Sequence, residues 1–172
     1  MLGYPHAARA DADQALSDAR EISQAATLMY ALVLTSLTHI HCGNYLAAKA
    51  QLDEGVTLGN EKGGLFWEPL AMALQGCVSV LTDNASDAAQ MITSAITAMG
   101  STGSTFYISS CLAYLRKAYA ELGQFDGAWR CIAEATTAVE TTKERWFEAE
   151  VNRIGGELAL LSLERDATKA EA

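Results

Sequence analysis

Apolar positions recur in steps of three and four along nearly the whole chain. Between residues 106 and 122 they fall at Phe106, Ile108, Leu112, Leu115, Ala118, Tyr119 and Leu122, the spacing of one helix face. A second face runs through Ala128, Cys131, Ile132, Ala135 and Val139. Gly123 lies between them and suits a left-handed helix terminus. Ser104 and Thr105 follow a glycine-bounded turn and suit an N-cap, because a hydroxyl can satisfy free amides of the first turn. The same reading predicts eight helices, over residues 5–20, 23–42, 45–60, 65–82, 85–99, 104–122, 125–142 and 145–163. Residues 60–64 and 100–103 read as the clearest loops. Residues 164–172 read as a polar linker and the start of another helix.

The pattern returns every 40 residues. Gly3-Tyr4-Pro5-His6-Ala7-Ala8 aligns with Gly43-Asn44-Tyr45-Leu46-Ala47-Ala48, Asp83-Asn84-Ala85-Ser86-Asp87-Ala88 and Gly123-Gln124-Phe125-Asp126-Gly127-Ala128. Ala15, Gly55, Ala95 and Ala135 form a small-residue series. Ala12, Leu52, Ile92 and Ile132 form a mostly larger one three residues earlier. Small residues let two helix backbones approach, and larger ones fill the space beside them. Aromatic pairs mark the start of each first helix at Phe66-Trp67, Phe106-Tyr107 and Trp146-Phe147, with Ala26-Thr27 as the aberrant first member. Such a stripe reads as core before it reads as a ligand box, given the area each ring must bury. Internal repetition at this length means stacked supersecondary units. The functional question becomes which surface binds what.

The stretch from Leu115 through Arg116, Ala118, Tyr119, Leu122, Gly123 and Phe125 to Ala128 resembles the tetratricopeptide repeat, with its leucine, small-residue site, tyrosine and Leu-Gly-x-aromatic-x-x-Ala pattern. Arg116 departs from the usual glycine, which Gly76 and Gly156 retain. His39 and Ser79 replace Tyr119. The family unit is about 34 residues; the aromatic-led extension of the first helix accounts for most of the excess here. The resemblance implies an all-α, antiparallel helix-pair solenoid of about eight helices in a right-handed superhelix. It divides one domain, residues 1–172, into units of roughly 1–20 (partial), 21–60, 61–100, 101–142 and 143–172 (partial). The segment 143–158 is also similar to the long-repeat arrays of bacterial signalling proteins that carry cyclase and NTPase domains. No motif of either enzyme lies within these residues.

By the same resemblance, the first helix of each unit lines a concave groove. The expected groove residues are Tyr30, Leu37 and His41, then Cys77 and Leu81, then Tyr114, Lys117 and Glu121, then Arg153 and Glu157. Val33, Ala73 and Ala113 share one repeat position and read equally as core between units. Lys117 and Arg153 are the only cations expected there, and asparagine is absent, so the family's carboxylate clamp is not complete. The first two units present apolar groups and the last two charged ones. The expected partner is a peptide, a helix or a neighbouring domain of the parent protein. The alternative is a small-molecule sensor acting on an upstream NTPase or cyclase, with Tyr30, His41, Tyr114 and Lys117 converging on the ligand.

Composition narrows this further. The 172 residues are half apolar, contain two prolines and carry a formal charge of -9. An acidic surface repels phosphate backbones, so nucleic acid is not an expected partner. No apolar run approaches the ~18 residues of a membrane span, and no leader pattern opens the chain. Cys42, Cys77, Cys111 and Cys131 are widely separated and read as free thiols of a cytoplasmic protein. His39 and His41 point about 200° apart on a helix and do not share a metal. Lysine is missing from the 100–105 glycine and hydroxyl stretch, so it is no phosphate loop, and no nucleophile elbow is present. Neither a catalytic role nor a cofactor is expected. The chain opens on the second helix of one unit and ends on the first of another. Trp146, Phe147, Val151, Ile154, Leu158, Leu160 and Leu161 are expected to lie uncovered on that last helix and to drive self-association.

Overall fold

The computed structural model describes the backbone of residues 3–82 and 84–170, and side chains as far as Leu161. It is all-helical, with no strand among the described residues. The helices are α1 (Pro5–Ile22), α2 (Ala25–His41), α3 (Tyr45–Lys62), α4 (Trp67–Leu81), α5 (Ala85–Ser101), α6 (Ile108–Glu121), α7 (Phe125–Thr142) and α8 (Glu148–Ala170). A 3-10 turn, Arg145–Phe147, precedes α8. Each helix packs on the next in sequence, and α2, α4, α6 and α8 also pack on one another in that order. The most extensive contacts lie within the pairs α2–α3, α4–α5 and α6–α7.

Left-handed residues punctuate the chain at intervals of twenty. Gly3, Gly43 and Gly123 have φ of +77°, +71° and +71°. Ser23, Gly63, Gly103 and Lys143 form a second series at +57°, +75°, +75° and +62°. Asp83, the substitute for glycine in the first series, lies outside the described residues. Only glycine adopts this conformation without a Cβ penalty of about 1 kcal/mol, so Ser23 and Lys143 carry a cost that their neighbours avoid. The backbone then folds back on the helix it leaves. Asn44, Asn84 and Gln124 donate their N–H groups to the carbonyls of His39, Ser79 and Tyr119 at 2.8–2.9 Å. This closes helix ends that would otherwise strand buried carbonyls.

The alanine series lies where the paired helices meet. Ala48, Ala88 and Ala128 are fully buried, as are Leu52 and Ile92 beside them. Gly55, Ala95 and Ala135 are buried too. Gly76 shows how close the approach is. A methyl group there would come within 2.5 Å of Ile92 Cγ1 and 3.3 Å of the Ala88 carbonyl oxygen. One apolar cluster runs from Val33 on α2 to Ile154 on α8, and a smaller one joins Leu16 and Ala19 of α1 to Ala31 and Leu32. Each fully buried leucine or isoleucine adds about 1.5–3 kcal/mol.

Several sequence expectations are corrected. α3 and α5 run through most of the residues read as loops, ending at Lys62 and Ser101. α6 starts at Ile108, not at Ser104. The Ser104 hydroxyl accepts the Phe106 N–H at 3.3 Å and shapes a turn ahead of the helix instead of capping it. α8 continues to Ala170, so the expected linker after residue 163 is helical up to that point. Phe147, Val151, Ile154 and Leu158 are buried, because one face of α8 already packs on α6 and α7. Trp146, Leu160 and Leu161 remain exposed.

The aromatic stripe is a continuous ladder of seven rings. Tyr30 meets Trp67 (5.2 Å between centroids), Trp67 meets Phe66 (4.7 Å), and Phe66 meets Phe106 (6.1 Å). Phe106 meets Tyr107 (4.3 Å), Tyr107 meets Trp146 (5.0 Å), and Trp146 meets Phe147 (5.0 Å). Edge-on pairs dominate, each contributing about 0.5–1.5 kcal/mol beyond area burial. The expectation of a plain core stripe is therefore revised: Phe147 is buried, but Tyr30, Phe106 and Trp146 are 51%, 41% and 47% exposed. Tyr30 supplies the ring that Ala26-Thr27 lack, one turn further along α2.

The two repeat-equivalent glycines should answer oppositely to the same change. Gly76→Ala should destabilise by about 1–2 kcal/mol, overpacking outweighing the gain in helix propensity. Gly156→Ala, where a methyl group would meet no atom within 4 Å, should stabilise by about 0.5–1 kcal/mol. Urea titration followed by circular dichroism measures both.

Candidate binding cleft

The helix stack brings residues distant in sequence around an open cleft of about 660 Å³. It is lined by Tyr4, Pro5 and Asp11, by Leu34, Leu37, Thr38 and His41 of α2, and by Tyr107 and Trp146. The aromatic ladder thus does double duty, since Tyr107 and Trp146 also line the cleft. A smaller pocket of about 220 Å³ lies along α6 and α8. Leu81, Tyr114, Phe147 and Ile154 give it an apolar base, and Arg116, Lys117, Glu150, Arg153 and Glu157 give it a charged rim.

Glu150 and His41 also bear on each other electrostatically, the carboxylate raising the histidine's pKa and the histidine lowering the carboxylate's. His41 is exposed overall, but the surrounding wall withdraws enough water from the imidazole to lower its pKa below 6.5; Glu150 opposes that shift. Glu150 is itself held below 4.5, first because Arg153 donates to it. The Arg153 Nε reaches Glu150 Oε2 at 2.7 Å and Nη2 reaches Oε1 at 2.5 Å, while Nη1 donates to Glu157. Lys117 donates to Glu121. Burial pushes the Tyr114 hydroxyl pKa upward, so the phenol stays neutral.

The expected groove residues divide into four groups. Leu37 and His41 lie in the cleft. Leu81, Tyr114, Lys117, Arg153 and Glu157 come together in the smaller pocket, with Glu121 at its edge through Lys117. Tyr30 sits apart, on a groove between α1 and α2 and at the head of the ladder. Cys77 is corrected to core: it is 1% exposed, and burial raises its thiol pKa well above 9.0, helped by a hydrogen bond with Cys111. Val33, Ala73 and Ala113 are buried between units. His39 is buried as well, its Nε2 3.6 Å from Asp13 Oδ1.

Arg116 is the residue that sequence reasoning passed over. It is 5% exposed, its Nη2 stands 3.5 Å from Glu157 Oε2, and its Nε has no hydrogen-bond partner. Its burial lowers its pKa, and Glu157 counters that. The signal was present: Arg116 stands where neighbouring units carry glycine, so a charge there had to have a reason. With Arg116 included, three cations (Arg116, Lys117, Arg153) face three carboxylates (Glu121, Glu150, Glu157). The cluster is internally neutral, and each cation in it has an acidic partner.

Among the described residues, no three His, Cys, Asp or Glu side chains converge as a metal site needs, and no helix is long and apolar enough to cross a membrane. Comparison with models of known protein families gave no match, and comparison with curated protein sequences gave none either. The cleft must therefore be judged on its own chemistry: a mostly apolar lining with Tyr107 and Trp146, adjoining the pocket of the neutralised ionic cluster where Trp146 meets Phe147.

The His41 shift predicts a pH dependence with a defined sign. A histidine whose folded pKa is lowered binds fewer protons folded than unfolded, so its stabilising contribution is present above 6.5 and lost as pH falls through the folded value. Glu150, also lowered, contributes above 4.5 and loses that contribution at lower pH. NMR titration should place His41 below 6.5, and Glu150→Gln should move it lower still by removing the one influence that raises it. An unchanged His41 titration in that variant would break the proposed link between the two side chains.

Proposed function

We propose that this chain is a non-catalytic, tetratricopeptide-type interaction module that captures an amphipathic helix or extended peptide along its cleft. The reading takes the helix pairs as an antiparallel solenoid in a right-handed superhelix, with α2, α4, α6 and α8 on the inner face. The sequential packing, the packing among those four helices and the regular left-handed turns support it. The observation that carries the function is the juxtaposition of an apolar cleft of about 660 Å³ with the ionic cluster at Lys117, Glu150, Arg153 and Glu157. Such a surface suits a segment with one apolar end and one charged end of mixed sign. The partner is then a separate protein or another domain of a longer parent chain, in a bacterial cytoplasm, where the four free thiols would stay reduced.

Recognition would proceed by burial first. Leu37, Trp146 and Tyr107 offer apolar area, and each large side chain buried by a partner is worth about 1.5–3 kcal/mol. The charged end would set direction, because a partner has to trade into the existing Arg153–Glu150 and Lys117–Glu121 pairs instead of meeting a bare cation. A second reading, a small-molecule sensor, is favoured by the cleft volume alone, which falls within the ~300–1,000 Å³ of small-molecule sites.

The two readings separate in one pair of measurements. Fluorescence-polarisation screening of labelled amphipathic peptides should find binders that weaken about 10-fold or more with Leu37→Glu or Trp146→Ala, since each change removes over ~1.4 kcal/mol of burial. Charge reversal at Lys117 and Arg153 together should weaken the same binders while leaving helicity intact. A thermal-shift screen with metabolites serves the sensor reading, since a native-state ligand at 100 times its Kd adds about 2.7 kcal/mol. Peptide binding indifferent to Leu37 and Trp146 would overturn the cleft as the site.

A further inference from the structure

Arg116 is a buried charge with too few partners. Its register is that of Ser36, Gly76 and Gly156, so the other units place a hydroxyl or no side chain there. A guanidinium carries five N–H donors. Among the described residues, that of Arg116 makes one hydrogen bond, from Nη2 to Glu157 Oε2 at 3.5 Å, the outer limit of such a contact, and its Nε makes none. Glu157 is held elsewhere: its Oε1 accepts from Arg153, which also engages both oxygens of Glu150. Burying a charge with incomplete pairing is costly. Small residues fill this position in the other units, so packing alone does not account for the arginine.

The pocket that Arg116 lines measures about 220 Å³. At ~30 Å³ for each water it has room for about seven, the scale of a free metabolite and not of a peptide segment. Its chemistry has three parts. Arg116 lacks an acceptor, and the Tyr114 phenol, kept neutral by burial, can donate beside it. The carboxylates of Glu150 and Glu157 stay partly open to solvent, at 40% and 50% exposure. Leu81, Phe147 and Ile154 supply the apolar lining. The surrounding charges balance, and the chain as a whole carries -9. A simple anion would unbalance the cluster, whereas a zwitterion would not.

We infer that this pocket binds a free α-amino acid with an apolar side chain. The ligand's carboxylate supplies the acceptor that Arg116 lacks and takes a second hydrogen bond from the Tyr114 hydroxyl. Its ammonium faces Glu150 and Glu157, and its side chain lies on Leu81, Phe147 and Ile154. Both charged groups of the ligand are needed, because each answers a different part of the lining. The site belongs to α6, α8 and the end of α4, apart from Leu37 and His41 of the larger cleft. Its failure would leave peptide capture at Leu37 and Trp146 standing, and the reverse also holds.

Isothermal titration calorimetry on the whole chain with L-leucine, L-isoleucine, L-valine, L-methionine and L-phenylalanine should find saturable, one-to-one binding for at least one. The amide of that amino acid, which lacks the carboxylate, and its N-acetyl form, which lacks the ammonium, should each bind about 10–100-fold more weakly, the loss expected for charge-assisted hydrogen bonds. Arg116→Met should weaken the parent amino acid by the same factor. Its thermal midpoint should hold or rise, because replacing a poorly paired buried charge with an apolar side chain is often neutral or stabilising. The two derivatives are tested on the wild-type chain, so they decide the matter even if that variant misfolds. No binding by any of the amino acids would overturn the site. An N-acetyl form that binds as well as its parent would also overturn it, since a peptide's carboxyl end would then suffice. So would affinity unchanged in a folded Arg116→Met chain.

Discussion

The structure depends on how closely the two helices of a unit can approach. Ala48, Ala88 and Ala128, with Gly55, Ala95 and Ala135, remove side-chain bulk from the contact line. The gap is then set by backbone and by the larger Leu52, Ile92 and Ile132 beside it. At Gly76 there is no room even for a methyl group. Close approach of this kind tolerates little error, because packed interiors relax only partly around a misfit. It also fixes the period. A unit can pack on its neighbour only if the small residues return to the same face, and they do so every 40 residues.

The left-handed residues serve the same constraint from the other side. A helix pair that packs at close range needs its connecting turn to reverse the chain within a few residues. Positive φ at twenty-residue intervals does this, and the repeated bonds from Asn44, Asn84 and Gln124 back to the preceding helix lock it. Ser23 and Lys143 adopt the conformation without being glycine. Both are exposed C-caps, of α1 and α7, whose N–H groups bond back to Arg20 and Val139, so closing the helix end outweighs the local preference. Local preference is outweighed again where α3 and α5 run on to Lys62 and Ser101. Their polar, glycine-containing ends read as loops, but the amphipathic face behind them is still anchored.

Helix periodicity and the 40-residue register were legible because both follow from which residues must face inward. Seven of the eight helices begin within about three residues of their expected starts. The start of α6 was missed because Ser104 looks like a cap in sequence and acts as a turn in space. The site was less legible, and for a physical reason. Which side chains share a pocket depends on how successive helices are rotated against one another, and no single unit encodes that. So Leu81, Tyr114, Lys117, Arg153 and Glu157, expected along a groove spanning three units, line one small pocket, while Cys77, one helical turn before Leu81, is buried. The second left-handed series, Ser23 to Lys143, escaped notice because only two of its four members are glycine. Arg116 stood out in sequence only as a departure from the usual glycine, and register says nothing of what an arginine at a glycine site will pair with.

That arginine changes what the charged pocket can do. Two cations alone at the end of a groove would draw any carboxylate. Three cations matched by three carboxylates create no such general attraction, and the chain as a whole carries -9. Long-range steering therefore works against acidic partners, and the local cluster does not reverse it. What the cluster can supply is register: a partner whose own charges interleave with the existing pairs loses little, and one whose charges do not is penalised for every pair it breaks. On the proposed reading, affinity comes from the apolar cleft, where Leu37, Tyr107 and Trp146 present the area. The aromatic ladder couples the two roles, since two of its rings, Tyr107 and Trp146, also line the cleft. A change that loosens the stack at Tyr107 or Trp146 must reshape the cleft as well.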